Sequence, residues 1–184
     1  MKPGLSKIAA VGIFSGLAFA GGYIFVAVPN VEIITALIFL SGISLGTRNG
    51  ILVGVIAQSL FSTLNPFGIS PPPLFVAQVA NRALVGYVGG RFGKFNYEER
   101  KFWIIAVYLG ITGLLLTWLF DIMTDFSSFF ISGFSFEQMK LTFLLGLAWY
   151  LVHGIGNTLI FALVLPVVIQ GLRSVNFIKQ ANIN

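Results

Sequence analysis

Apolar runs close to the length of a bilayer crossing recur along this chain, and that repetition limits its fold more than any other feature. They cover residues 8–28, 31–46, 50–64, 74–90, 102–120 and 141–169. A helix needs about 20 apolar residues to cross about 30 Å of hydrocarbon. The chain therefore reads as all-α: one integral membrane bundle of six transmembrane helices in a single domain, residues 1–184. Only 9% of its residues are charged and 57% are hydrophobic, too little polar surface to cover a soluble globule. The first run follows Lys2 and Lys7 in the order of a signal peptide. It is long for one, and no small-residue cleavage site leads into a polar mature region, so it reads as a retained helix. The second and third runs are short, which predicts a partly buried or tilted arrangement.

The segments between the runs are expected to be irregular. Asn65-Pro66-Phe67-Gly68-Ile69-Ser70-Pro71-Pro72-Pro73 reads as a stiff loop, because proline removes donors and fixes φ. Asp121 to Lys140 reads as a polar, aromatic connection, and Pro166 is expected to kink the last helix. Placing both termini in the cytoplasm puts Lys2, Lys7, Arg48, Arg91, Lys94, Arg100, Lys101, Arg173 and Lys179 inside, nine of eleven basic residues. Lys140 then lies outside and Arg82 within the membrane. The positive-inside rule favours this topology, and it places Glu32, Asp121, Asp125 and Glu137 near the outer face. The net charge of +5 follows the membrane, so no nucleic-acid partner is expected. The irregular, aromatic and acidic outer loops make that face the place to look for a ligand.

Polar residues inside the runs carry the next signal. Arg82 sits well within the fourth span, where a lone charge costs about 2.5–3.5 kcal/mol on insertion scales, so it should face the bundle interior or a wet cavity. Gln78 lies one turn outward on the same face. His153 and Asn157 form a matching pair four residues apart in the sixth span, with Trp149 one turn beyond. The competing reading is interhelical hydrogen-bond glue, and for Arg82 a structural pair with Asp121 or Asp125. Gly12, Gly16 and Ala20 recur at four-residue spacing on the first helix and offer a smooth face for close approach by another helix, within this chain or from a partner.

Catalytic patterns are sparse. There is no Walker A loop, no Gly-x-Ser-x-Gly and no His-Glu-x-x-His; cysteine is absent and histidine occurs once, so no metal or other cofactor is expected. A Ser/His dyad at His153 and an aspartyl pair from Asp121 and Asp125 are the weak enzymatic alternatives. The chain carries no means of hydrolysing ATP, so active transport would need a partner or an ion gradient.

The six short helices, the small-residue first helix, the polar Pro-containing connection between the third and fourth, and the segment Gly50-Ile51-Leu52-Val53-Gly54 running on to Asn65-Pro66-Phe67-Gly68 resemble the substrate-binding S components of energy-coupling factor (ECF) transporters. The likeness covers nearly the whole chain, with loose local motifs. It implies a high-affinity binder for a vitamin or related micronutrient in a prokaryotic plasma membrane, working with a T component and two cytoplasmic ATPases. The ligand would lie near the outer face, against the loops after helices one, three and five and against helices four to six. The T component would grip the small-residue face of the first helix, matched here by Gly12, Gly16 and Ala20, with glycines where alanines are often seen.

Position and resemblance together nominate Asn65, Gln78, Asn81, Arg82, Trp118, Asp121, Trp149, His153 and Asn157 for ligand contact. Arg82 would hold an anionic or carbonyl group, the tryptophans would stack on a ring, and the amides and His153 would orient it. The aromatic content suits a flat heterocycle such as riboflavin, thiamine or folate, while cobalamin, biotin and queuosine precursors stay open. Two other classes stand beside this reading: a non-transporting scaffold of cell-envelope machinery, and an intramembrane enzyme. An ion-coupled carrier without ATPases is a variant of the first.

Overall fold

The computed structural model of the protein describes residues 3–95, 101–133 and 135–174; Lys2, Arg100 and Lys179 of the expected inner basic set lie outside the described residues. The described chain is helical throughout, in the order α1 (Pro3–Ile24), α2 (Ile34–Leu45), α3 (Thr47–Thr63), α4 (Pro72–Phe92), α5 (Phe102–Ser132) and α6 (Phe136–Leu159). A π-helical turn (Ile160–Val164) then leads into α7 (Leu165–Ser174). Three stretches are long and apolar enough to cross a membrane: Lys7–Ile24, Phe102–Ile131 and the continuous Phe136–Ser174. Large apolar side chains such as Ile13, Leu17, Val107, Ile111, Leu115, Leu145, Leu151 and Leu163 point outward from these helices. Water would penalise such a surface and lipid favours it.

The core forms where α2, α3 and α4 meet. A single residue, Gly46, joins α2 to α3 at φ 85°, a left-handed backbone that glycine adopts without a Cβ clash. The two helices therefore turn on each other without a loop. Glycine also allows their backbones to touch α4. A methyl group added at Gly86 would overlap the Gly50 carbonyl, one at Gly54 the Arg82 carbonyl, and one at Gly89 the Phe39 carbonyl. Without side chains between them, the helices gain dense van der Waals contact, the main attraction available between helices in lipid. The short α2 ends up as the inner helix, with Ile38, Phe39 and Ile43 buried, and Phe39 packs on Phe161 at 5.1 Å and on Phe92 at 5.7 Å.

Two expected loops are shorter than the composition implies. Helix α4 begins at Pro72, so Pro72 and Pro73 occupy its first turn; their missing N–H groups would have had no intrahelical partner there. The connection expected from Asp121 to Lys140 is mostly helix, since α5 runs on to Ser132 and α6 starts at Phe136. Hydroxyls that look loop-forming bond back to the helix: Thr124 donates to the Phe120 carbonyl at 2.9 Å, Ser127 to Thr124 at 2.6 Å and Ser128 to Asp125 at 2.6 Å. At the other end, Pro166 is absorbed by the π-helical turn that precedes it.

The glycine contacts generate a stability prediction. Gly86→Leu should destabilise the detergent-purified protein by about 1–3 kcal/mol or more through overpacking. Gly171→Ala, on an open part of α7, should leave it unchanged or slightly firmer. Equal thermal unfolding midpoints for Gly86→Leu and the parent would show that backbone contact between α3 and α4 does not carry the core.

Candidate functional site

The site grows from one charge. Arg82 is 3% exposed, in the middle of α4, and a buried guanidinium is tolerated only when its donors are met and its charge is opposed. Its Nη1 donates to Thr35 Oγ1 and its Nε to Gln58 Oε1 at 3.2 Å, while Nη2 lies 3.5 Å from Glu32 Oε1. The Phe120 ring covers the guanidinium, 4.2 Å from Cζ to the ring centroid. The counter-charge is therefore Glu32, and not Asp121 or Asp125 by direct contact.

Glu32 has two structural duties. It precedes α2, and its Oε2 accepts from the Thr35 backbone N–H at 2.9 Å, capping the helix where a negative charge suits the dipole. Its Oε1 accepts from Thr35 Oγ1 and from Asn157 Nδ2 of α6 at 3.1 Å, and faces His153 Nε2 at 3.5 Å. Burial disfavours the carboxylate, and the Arg82 charge beside it offsets that cost. Next to it, His153 Nδ1 meets Asp121 Oδ1 of α5 at 2.7 Å, and the imidazole stands edge to face with Phe120 at 5.9 Å.

A relay of amides and hydroxyls carries the network the other way. Gln58 Nε2 donates to Ser62 Oγ at 2.8 Å, and Ser62 Oγ donates to Gln78 Oε1 at 2.6 Å. Ser70, in the connection before α4, donates to the same Gln78 oxygen at 3.1 Å. One continuous set of contacts thus joins the α1–α2 connection, α3, α4, α5, α6 and the α3–α4 connection.

Several of its members are incomplete. Asn81, fully buried, offers Nδ2 only to Met123 Sδ at 3.9 Å, and its Oδ1 has no partner. Asp121 Oδ2 and Asn157 Oδ1 are likewise buried without a hydrogen bond, and His153 Nε2 has nothing nearer than the long approach to Glu32. Such groups are uncommon in folded proteins and call for a cause. Beside Asp121 lies a hollow of ≈ 280 Å³ between α5 and α6, walled by Trp118, Phe143, Tyr150, Ile122, Leu147 and Leu151. A broader groove of ≈ 730 Å³ runs between α4 and α5 past Ala77, Ala80 and Met123.

Six of the residues singled out from the sequence meet in this network or at its edge: Gln78, Asn81, Arg82, Asp121, His153 and Asn157. Three do not. Asn65 spends its Oδ1 on the Phe67 N–H at 2.9 Å, building its own turn. Trp118 is 42% exposed and borders the α5–α6 hollow, and Trp149 is 52% exposed. Trp149 shares the helical face of His153 by spacing, but the first half of α6 lacks bundle neighbours on that side; only its carbonyl is engaged, by Asn30 Nδ2 at 2.9 Å. Glu32, Thr35, Gln58 and Ser62 belong to the same network and are not among the residues nominated from the sequence. Gln58 and Ser62 carried the same four-residue signal as Gln78 and Arg82, and Glu32 is the sole acidic residue before position 98. Gly12, Gly16 and Ala20 lie on an exposed face of α1, with none of the described residues within 4 Å of a methyl placed at Gly12 or Gly16.

A buried polar cluster inside an apolar helical bundle suits solute recognition, and comparison with protein families agrees. The model for the ECF transporter substrate-specific component matches residues 6–174. The chain belongs to this family. Comparison with curated proteins and with solved structures gives no match. As a member of the ECF substrate-specific component family it is a multi-pass membrane protein and a transporter's substrate-binding subunit, a role in binding rather than catalysis. Family members work with a T component and ATPases.

The ion pair can be tested apart from any ligand. Glu32→Gln leaves Arg82 buried without its nearest counter-charge and should lower stability by about 3–5 kcal/mol. Adding Arg82→Gln to that variant should restore part of the loss. Unfolding midpoints in detergent that stay equal for parent and Glu32→Gln would remove the pair from the framework.

Proposed function

We propose that this subunit captures a vitamin or related micronutrient with high affinity at the cluster around Asn81, Asp121, His153 and Asn157, for uptake across a prokaryotic plasma membrane. In this reading six membrane-spanning helices form a single domain with both termini in the cytoplasm, and a T component with two cytoplasmic ATPases supplies the energy. The observation that carries the reading is the gathering of buried, unpartnered polar atoms on those side chains. A protein selected only for stability gains by closing such valences or replacing them with apolar groups, whereas a binding site leaves them for its ligand. Arg82, whose three nitrogens already have partners, is the fixed centre that holds Glu32, Thr35 and Gln58 in place around the ligand. Gln78 and Ser70 tie the site to the α3–α4 connection.

The open face of α1 at Gly12, Gly16 and Ala20 is the proposed seat of the T component. Small residues there would let a partner helix approach closely, as the glycines inside the bundle let α3 approach α4.

Mass spectrometry of small molecules released from the purified protein tests the binding role. The parent should yield one vitamin-like compound at near-stoichiometric amount. Asn81→Leu should lose at least about tenfold of it, equivalent to about 1.4 kcal/mol, while melting no lower than the parent because an unpartnered amide has been removed. An empty parent from vitamin-replete cells would shift the reading to the scaffold. Separately, Gly12→Leu with Gly16→Leu should abolish co-purification of the T component and spare the bound compound; retained co-purification would move the docking face elsewhere.

A further inference from the structure

Apart from His153 Nε2, which faces Glu32 at 3.5 Å, the unpartnered atoms of the cluster share a polarity. Asn81 Oδ1, Asp121 Oδ2 and Asn157 Oδ1 are all hydrogen-bond acceptors, on residues at least nine-tenths buried. The strongest donor in the region, Arg82, is already committed to Thr35, Gln58 and Glu32. A ligand entering this site finds three acceptors to satisfy and a guanidinium whose nitrogens each already face a group of the chain.

The charges point the same way. Glu32 is matched by Arg82, and Asp121 is met by His153 through one oxygen only. One turn further along α5, Asp125 accepts from the Tyr150 hydroxyl, a neutral donor. Three carboxylates thus face one guanidinium and one imidazole in surroundings with little water, where an added cation gains more than in bulk solvent. The hollow against Asp121 is lined by Trp118, Phe143 and Tyr150 together with that residue, and aromatic rings beside a counter-charge are the combination that favours a positively charged group.

From this geometry we infer that the ligand carries a cationic, donor-rich group, such as an amidinium, a protonated amine or a positively charged aromatic ring, seated on Asp121 between Trp118 and Tyr150. Asn81 and Asn157 take further N–H or O–H donors of the same molecule. This inference rests on the binding reading above and narrows its substrate class, away from ligands led by a carboxylate or phosphate.

Benzamidinium and benzoate, planar aromatics of nearly equal shape and opposite charge, are suitable probes. The full chain is placed in nanodiscs of phosphatidylglycerol, which supply no cationic headgroup, and its thermal midpoint is read with each probe at about tenfold above a millimolar Kd. Benzamidinium should raise the midpoint by roughly 3–5 °C, benzoate should not, and the rise should vanish in Asp121→Asn. That variant keeps an acceptor for His153. Trp118→Leu, at a half-exposed wall position, should at least halve the rise and guards against misfolding of the first variant. Stabilisation by benzoate instead, or equally by both, overturns the cationic assignment and leaves the binding role standing. Absence of any shift while the parent releases a stoichiometric compound does the same; absence of a shift with an empty parent overturns both.

Discussion

A guanidinium inside an apolar bundle dictates much of what surrounds it. Arg82 sits where a lone charge would be expelled, and the bundle retains it only because groups from four other segments converge on it: Glu32 ahead of α2, Thr35 within α2, Gln58 on α3 and the Phe120 ring on α5. Each of those contacts fixes an element as well as a charge. Glu32 can reach Arg82 only if the chain between α1 and α2 folds back over the bundle, and in doing so it also caps α2 and receives Asn157 from α6. Removing the charge pair would release that connection, so the pair acts as the point at which the loop and the helices agree on one arrangement.

Convergence at that distance needs backbones that lie close. Gly54 sits against the Arg82 carbonyl and Gly86 against Gly50, so α3 and α4 meet without intervening side chains at Arg82 itself and one turn beyond it. The amide of Gln58 is one turn along α3 from Gly54, which is why it falls within reach of Arg82 Nε. Packing and electrostatics are here one constraint: the glycines bring the helices near enough for short polar side chains to complete the network, and the network holds them in register. The small residues of α1 obey the same physics with the opposite outcome. They face outward at Gly12 and Gly16, where no described element fills the space.

The sequence disclosed the helical class, the interior placement of Arg82 and the four-residue pairs Gln78/Arg82 and His153/Asn157, because hydrophobic runs and helical spacing are local properties. It was weaker where one helix's surroundings decide. Trp149 has the spacing of His153 but not its burial, since α6 leaves the bundle on that side. Glu32 stands at the very start of the second apolar run, and its role depends on a loop returning to α4, which no local pattern encodes. The hydroxyls and acids after Asp121 read as a loop by composition; back-bonding to carbonyls keeps them in α5, and that carries Asp125 to Tyr150.

The distribution of satisfied and unsatisfied groups separates framework from site more sharply than burial does. Arg82, Gln58 and Ser62 are as sequestered as Asn81 or Asn157, yet their side chains bond in series, Arg82 to Gln58, Gln58 to Ser62 and Ser62 on to Gln78. Three other acceptors stay open, and they sit on α4, α5 and α6, so no one helix could satisfy them by a side-chain rotation of its own. A molecule bridging all three would draw these helices together around itself. Occupancy of the site and closure of this half of the bundle would then be a single event, with the ligand supplying the donors that the chain withholds.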